Sequence, residues 1–252
     1  MKKLNELFLD MLRYMNTTMK ADNAVGHQWT YCNITSKKAK SFEQARQQGK
    51  FKINCVDGVQ WALQLIGLTC ISWYGGKSKI VWLNSHAKKD VQKYFDIINT
   101  GGKTVQQLYD NQELCDGDIL LGYQNMNHTN VYIGGKKSFD SGHIYCTGQG
   151  EGAKFQKWIG ALAHKNQKVH YILRFKDEYR AHYRVQCGAF ETMEEYNKQV
   201  ALIEAKGFKT SHVFEDGMHK IQVGFYKGKT NAERVAASVA EKNISVFVKE
   251  VA

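Results

Sequence analysis

The chain has 252 residues, of which 43% are hydrophobic and 23% charged, with a net charge of +11. That is enough for one large or two small domains with real cores, and the mixture is not that of a disordered chain. No stretch is long and apolar enough to cross a bilayer, so membrane insertion is not expected. Residues 180–252 carry eleven Lys and Arg against nine Asp and Glu, a balance of +2, which leaves +9 for residues 1–179. A field of that sign attracts nucleic acid, anionic lipid or an anionic wall polymer alike, and a merely solvated lysine-rich face reads the same way.

Residues 1–20 read as an amphipathic helix. Asn5, Glu6, Asp10 and Arg13 interrupt the apolar core that a signal peptide would need, so synthesis without a leader, in the cytoplasm, is the expectation. A loop, 21–35, holds GHQWTYCN, and Ser41–Gln48 reads as a short helix stopped by Gly49. Asn54–Gly67, NCVDGVQWALQLIG, places Val56, Val59, Ala62, Leu63 and Ile66 on one helical stripe with Gly67 as the stop. Cys55 therefore stands at a helix N-terminus. The helix dipole stabilises a thiolate there, and the thiolate is the nucleophilic form.

Residues 69–104 are harder to read: Ile80–Leu83 suits a short strand or an insertion, and Asp90–Ile98 has a helical pattern closed by Gly101 and Gly102. Thr104–Tyr109 is a further short helix. From Gly117 the period becomes that of strands: Gly117–Tyr123, His128–Gly135 and Lys137–Gly142, with Gly134 and Gly135 as the turn of the last pair, then Val169–Phe175. Helices followed by an antiparallel sheet make an α+β domain.

A histidine on a central strand reaches a helix N-terminus packed against the sheet, so His128 is the expected partner of Cys55. Asp140 on the next strand is the candidate to orient the imidazole, with His143 as the alternative. The six cysteines form no CxxC pair, and His27, His86, His164, His170, His182, His212 and His219 show no ligand-like spacing. Free thiols from a reducing cytosol are expected, with no metal and no cofactor.

NCVDGVQWALQLIG, CDGDILLGYQ and HTNVYIGGKKSFDSG together resemble the three signature blocks of the NlpC-type papain-like cysteine hydrolases of bacterial cell walls, relatives of the CHAP amidohydrolases. The resemblance covers residues 31–175. It implies a papain-like catalytic domain over residues 1–176, with Cys55, His128 and Asp140 catalytic and Tyr31 beside the site. Val56 and Asp57 replace the family's usual serine and glycine, and Asp57 has no assignment. Two bonds fit the family, the N-acetylmuramoyl-L-alanine amide and a peptide bond of the stem. With the missing leader, the resemblance points to a phage endolysin. A wall-binding protein without activity, and a cysteine acyltransferase on the same fold, are the alternatives.

The last part repeats itself. YRVQCGAF (183–190) and HKIQVGFY (219–226) match at an offset of 36, each followed by a helix and a strand. The result is a small ferredoxin-like βαββαβ domain over residues 181–252. The repeat resembles the SPOR domain, a peptidoglycan-binding module whose glycan lies on the open sheet face. That makes bacterial peptidoglycan the expected partner at the cell wall, with Gln186 and Gln222 for sugar hydroxyls and Tyr183 and Tyr226 as stacking faces. Such a sheet also suits RNA, but a balance of +2 argues against nucleic acid.

Overall fold

The structure is a computed structural model that describes residues 2–33, 37–68, 88–123 and 126–251. It divides into two compact units, Met1–Tyr179 and Arg180–Ala252. Both mix helices with antiparallel sheet.

In the first unit α1 (Leu4–Ala24) buries Phe8, Leu12, Met15 and Met19, a three-and-four spacing that forms one apolar stripe. Burial of each such side chain stabilises the fold by about 1.5–3 kcal/mol. A short strand β1 (Thr30–Tyr31) follows, then α2 (Phe42–Gln47), capped by the Ser41 side chain on Gln44 N. Next come β2 (Lys52–Ile53) and α3 (Cys55–Leu65). Gly67, at φ 80°, stops α3 as expected. Trp29 anchors the core between these pieces, stacked on Phe42 at 5.5 Å and edge-on to Trp158 at 5.2 Å.

The six-stranded sheet runs β3 (Phe95–Asn99), β10 (Val169–Phe175), β4 (Ile119–Tyr123), β5 (Met126–Gly134), β6 (Lys137–Phe139) and β9 (Ile159–Ala161). A small sheet joins β2, β1, β8 (Lys154–Phe155) and β7 (Cys146–Thr147). Two expectations are corrected. The helical pattern 90–98 is a helix, α4 (Lys88–Tyr94), only up to Tyr94, and Phe95–Asn99 pair along β10 instead. Phe95, Ile97 and Ile98 satisfy either period, and the open edge of β10 decides between them. The hairpin turn sits one residue later, at Gly135 and Lys136, both at positive φ, because Gly134 still pairs with Lys137. Ile80–Leu83 lies outside the described residues. Before β4, α5 (Val105–Asp110) is capped by Thr104.

In the second unit the order is β11 (His182–Phe190), α6 (Met193–Ala205), β12 (Ser211–Glu215), β13 (Met218–Tyr226), α7 (Lys229–Ala240) and β14 (Phe247–Val251). The sheet order is β12-β13-β11-β14, all antiparallel, so the two repeats interleave. Gln186 lies directly opposite Gln222. Tyr183, Val185, Cys187, Ile221 and Val223 meet Tyr196 and Ile203 of α6 and Ala232 and Val239 of α7 in one core.

Candidate active site

Cys55 is the first residue of α3, and the cap in front of it is complete. The Asn54 side chain accepts from Val56 N and Asp57 N at 3.0 Å each, and Asp57 accepts in return from Asn54 N at 3.1 Å. Asp57, unassigned from sequence, therefore has a structural role. It also pairs with the buried Lys38 ammonium at 2.6 Å, which ties the segment around Lys38 to the helix start. Burial pushes the Asp57 carboxyl up, and Lys38 opposes that. One turn on, Gly58 leaves room for Ser141, whose hydroxyl donates to Asn54 O at 2.8 Å. The start of α3 is thus clamped to the residue that follows Asp140.

That clamp brings Cys55, His128 and Asp140 together. The Cys55 thiol hydrogen-bonds the His128 imidazole. His128 Nε2 lies 2.7 Å from Asp140 Oδ2, so Nδ1 is the nitrogen left for chemistry. Burial works against a charged His128, yet the charges of Asp140 and Cys55 override it and push the imidazole up to about 10. Burial likewise disfavours the Asp140 carboxylate, and His128, then His164, hold it below the usual carboxylate range. Both shifts favour an imidazolium on His128 and a carboxylate on Asp140 next to the Cys55 sulfur.

The pH signature follows from those directions. His128 is raised from 6.5, so its contribution to stability is complete below 6.5 and is lost as pH climbs to about 10. Asp140 is lowered from 3.8, so its contribution is complete above that value and is lost as pH falls below it. Thermal unfolding of the full chain followed against pH is expected to show this unit most stable between about pH 4 and 6.5. Asp140→Asn should flatten the alkaline decline, and an unchanged decline would contradict the coupling.

Tyr31 stands beside the group, its ring 3.7 Å from that of His143 and its hydroxyl donating to Asn33 at 2.9 Å. Burial first, then the Cys55 charge, pushes this phenol up to about 12, so it remains a donor at neutral pH. His143, the alternative orienter, packs on Tyr31, while the bond to the imidazole comes from Asp140. Burial and the nearby His128 charge hold its imidazole down.

Sequence reasoning missed two members. Gly142 N donates to Asp140 Oδ1 at 2.6 Å, and His164 Nε2 lies 3.2 Å from Asp140 Oδ2. His164 arrives from the turn after β9 with φ 51°, and no spacing in the sequence marks it. The ligand atoms of His128, Asp140 and His164 lie within 4.8 Å of one another, near enough to share a metal. The same atoms stand at hydrogen-bonding distance, with 2.7 Å from His128 Nε2 and 3.2 Å from His164 Nε2 to Asp140 Oδ2. Of the described cysteines, Cys146 and Cys187 carry free thiols. Burial pushes Cys146 up to about 12, which leaves it inert.

In the second unit the expected sugar contacts separate. Gln186 and Gln222 lie opposite each other on the side of the sheet away from α6 and α7. Gln186, expected as a sugar contact, is however buried and its amide donates to Gly188 O at 3.2 Å, so of the two only Gln222 is open there. Tyr183 and Tyr226, expected as stacking faces, turn to the helix side instead, because Tyr183 alternates in phase with the core residues Val185 and Cys187. The aromatics on the open face are Phe225, opposite Arg184 and stacked on His182 at 5.2 Å, and Phe247, opposite Gln186. Both are about half exposed. Beside them Glu215 takes ion pairs from Arg184, Lys220 and Lys249, which neutralise part of the face.

A family model described as the SPOR domain matches residues 179–250. No curated protein matches the chain. Among solved structures, the solution structure of the peptidoglycan binding domain of the B. subtilis cell wall lytic enzyme CwlC is 30% identical. That match covers 31% of this chain and 98% of the other, with a TM-score of 0.28. No helix among the described residues is long and apolar enough to cross a membrane. With the family match spanning the βαββαβ unit from end to end, residues 179–250 of this chain are a SPOR domain.

Proposed function

We propose that the chain binds bacterial peptidoglycan through its SPOR domain, and that its first unit is a papain-like cysteine hydrolase that cleaves an amide bond of that polymer. The binding half is supported by the family match and by an open sheet face that carries Phe225, Phe247 and Gln222. The hydrolytic half rests on one observation, the continuous hydrogen bonding from Cys55 through His128 to Asp140 at a helix N-terminus.

In the proposed reaction the Cys55 thiolate attacks the amide carbonyl carbon. The oxyanion forms at the positive end of α3. His128 gives its Nδ1 proton to the leaving amine, and a thioester on Cys55 remains. His128 then takes a proton from water, the hydroxide attacks the thioester, and the acid leaves as the thiolate returns. Asp140 keeps the imidazole in the tautomer that presents Nδ1. A weak wall contact suffices for the SPOR domain, since tethering raises the local concentration of the active unit on an insoluble polymer. The amide is the N-acetylmuramoyl-L-alanine bond or one within the stem.

A second reading, a wall-binding protein without hydrolytic activity, is favoured by the place of the family match, which lies outside the unit that holds Cys55. Incubation of the full chain with purified peptidoglycan separates the two. Hydrolysis releases new amino groups, and mass spectrometry of the fragments names the bond. Retention on the wall with no amino groups released leaves the binding reading and ends the hydrolytic one. Phe225→Ser with Phe247→Ser should weaken wall pull-down about tenfold or more, the scale of losing two aromatic contacts. Unchanged retention would show that the open face does not bind the wall.

A further inference from the structure

We propose that His164 is a positioning residue of the first unit: a second imidazole donor that fixes the Asp140 carboxylate on which His128 is oriented. The inference rests on the hydrolytic reading above and goes beyond it, because the three-residue mechanism gives His164 no part.

Asp140 has no solvent exposure, and a buried carboxylate is stable as an anion only when donors replace the water it has lost. Three donors do so. Gly142 N holds Oδ1 at 2.6 Å, while His128 Nε2 and His164 Nε2 approach Oδ2 at 2.7 and 3.2 Å. The peptide donor fixes one oxygen, and the two imidazoles fix the other from different directions. With His164 removed, Oδ2 keeps His128 alone from this set, so the carboxylate and the imidazole it should orient can swing together.

The ring of His164 is held as well as bonded. It stands edge-on to His128 with centroids 4.6 Å apart and lies 5.0 Å from Tyr123, whose hydroxyl is fixed on Asn130 at 2.7 Å. Its backbone occupies the left-handed region at φ 51°, which few residues with a Cβ adopt. Here Gln167 N closes the turn on His164 O at 2.9 Å, and Ala163 N bonds the Ser138 hydroxyl at 3.1 Å. An asparagine or glycine would relieve that conformation but would not carry Nε2 to Oδ2. Because the carboxylate accepts from both rings, each Nε2 carries a hydrogen, which leaves Nδ1 of His128 for the thiol.

The test uses the full chain with His164→Leu, which removes the donor at similar volume, and His164→Gln, which returns an amide N–H near the position of Nε2. The readout is the rate of Cys55 alkylation by iodoacetamide at pH 7, assigned to Cys55 by peptide mass spectrometry and accompanied by thermal unfolding. His164→Leu is expected to slow alkylation about tenfold, the scale of one hydrogen bond to a charged group. His164→Gln should stay within about twofold of the parent on the same scale. Alkylation needs the thiol and imidazole but no wall, so a chain that fails to digest peptidoglycan still answers the question. Equal rates in parent and His164→Leu overturn the proposal, as do equally slow rates in both variants, which would mean ring packing alone. A chelator that alters the parent rate but not that of His164→Leu overturns it too, in favour of a shared metal.

Discussion

Cys55→Ala is expected to abolish release of amino groups from peptidoglycan, a fall of at least about a thousandfold, while retention on the wall stays at the parent level. The size follows from the proposed mechanism, in which no other group of the site forms the acyl intermediate. Cys146, the neighbouring thiol, is no substitute, since burial keeps it protonated. Retention should be unaffected, because the proposed binding face with Phe225 and Phe247 belongs to the other unit. The substitution has a second readout. The Cys55 charge is among the groups that hold His128 up, so its loss should lower the pH at which this imidazole gives up its proton, measurable by NMR titration. Cys55→Ala walls digested at the parent rate would end the mechanism.

The second large effect concerns a residue that carries no chemistry. Gly142→Ala is expected to reduce kcat/KM on peptidoglycan about a hundredfold, the cost of displacing a catalytic group by around an ångström. A Cβ at this position overlaps the His128 ring at Cε1 and comes 2.8 Å from Asp140 Oδ1. Its φ of −91° is open to any residue, so the demand for glycine is purely one of space. The ring cannot retreat toward His164, which already stands edge-on to it, so the displacement falls on the bond to Cys55. Alkylation of Cys55 should slow in parallel, and a parent-like rate in a folded Gly142→Ala chain would show that the cluster yields without loss.

Much of this site was legible because its members announce themselves locally. Asn54 and the apolar stripe after it fix Cys55 at a helix start, and the strand pattern around His128 and the hairpin brings Asp140 close in chain and in space. Asp57 shows the limit of motif comparison: its residue type departs from the motif that the sequence resembles, and its job, a reciprocal cap paired with Lys38, is ordinary helix chemistry. His164 and Gly142 were not legible. One is delivered by a left-handed turn far along the chain, and the other matters through the space it leaves. Phe95–Asn99 went to the sheet because an edge strand was available to pair with, which no local pattern records. In the SPOR domain the repeat gave the topology, while the side to which each aromatic turns was set by strand parity, as Tyr183 shows.

The repeat in that domain has a consequence for direction. Its backbone is nearly twofold: the Gln186 and Gln222 pair lies on the axis, and Arg184 opposite Phe225 is the mirror position of Lys220 opposite Ala189. The surfaces do not obey the axis. Where one half places Phe225 and Phe247, the equivalent positions of the other hold Ala189 and Ser211, so all the aromatic weight falls on one end. A symmetric face would hold a linear polymer equally well forwards and backwards. This one distinguishes the two ends of whatever strand lies across it, so the domain itself would settle on that strand with a heading.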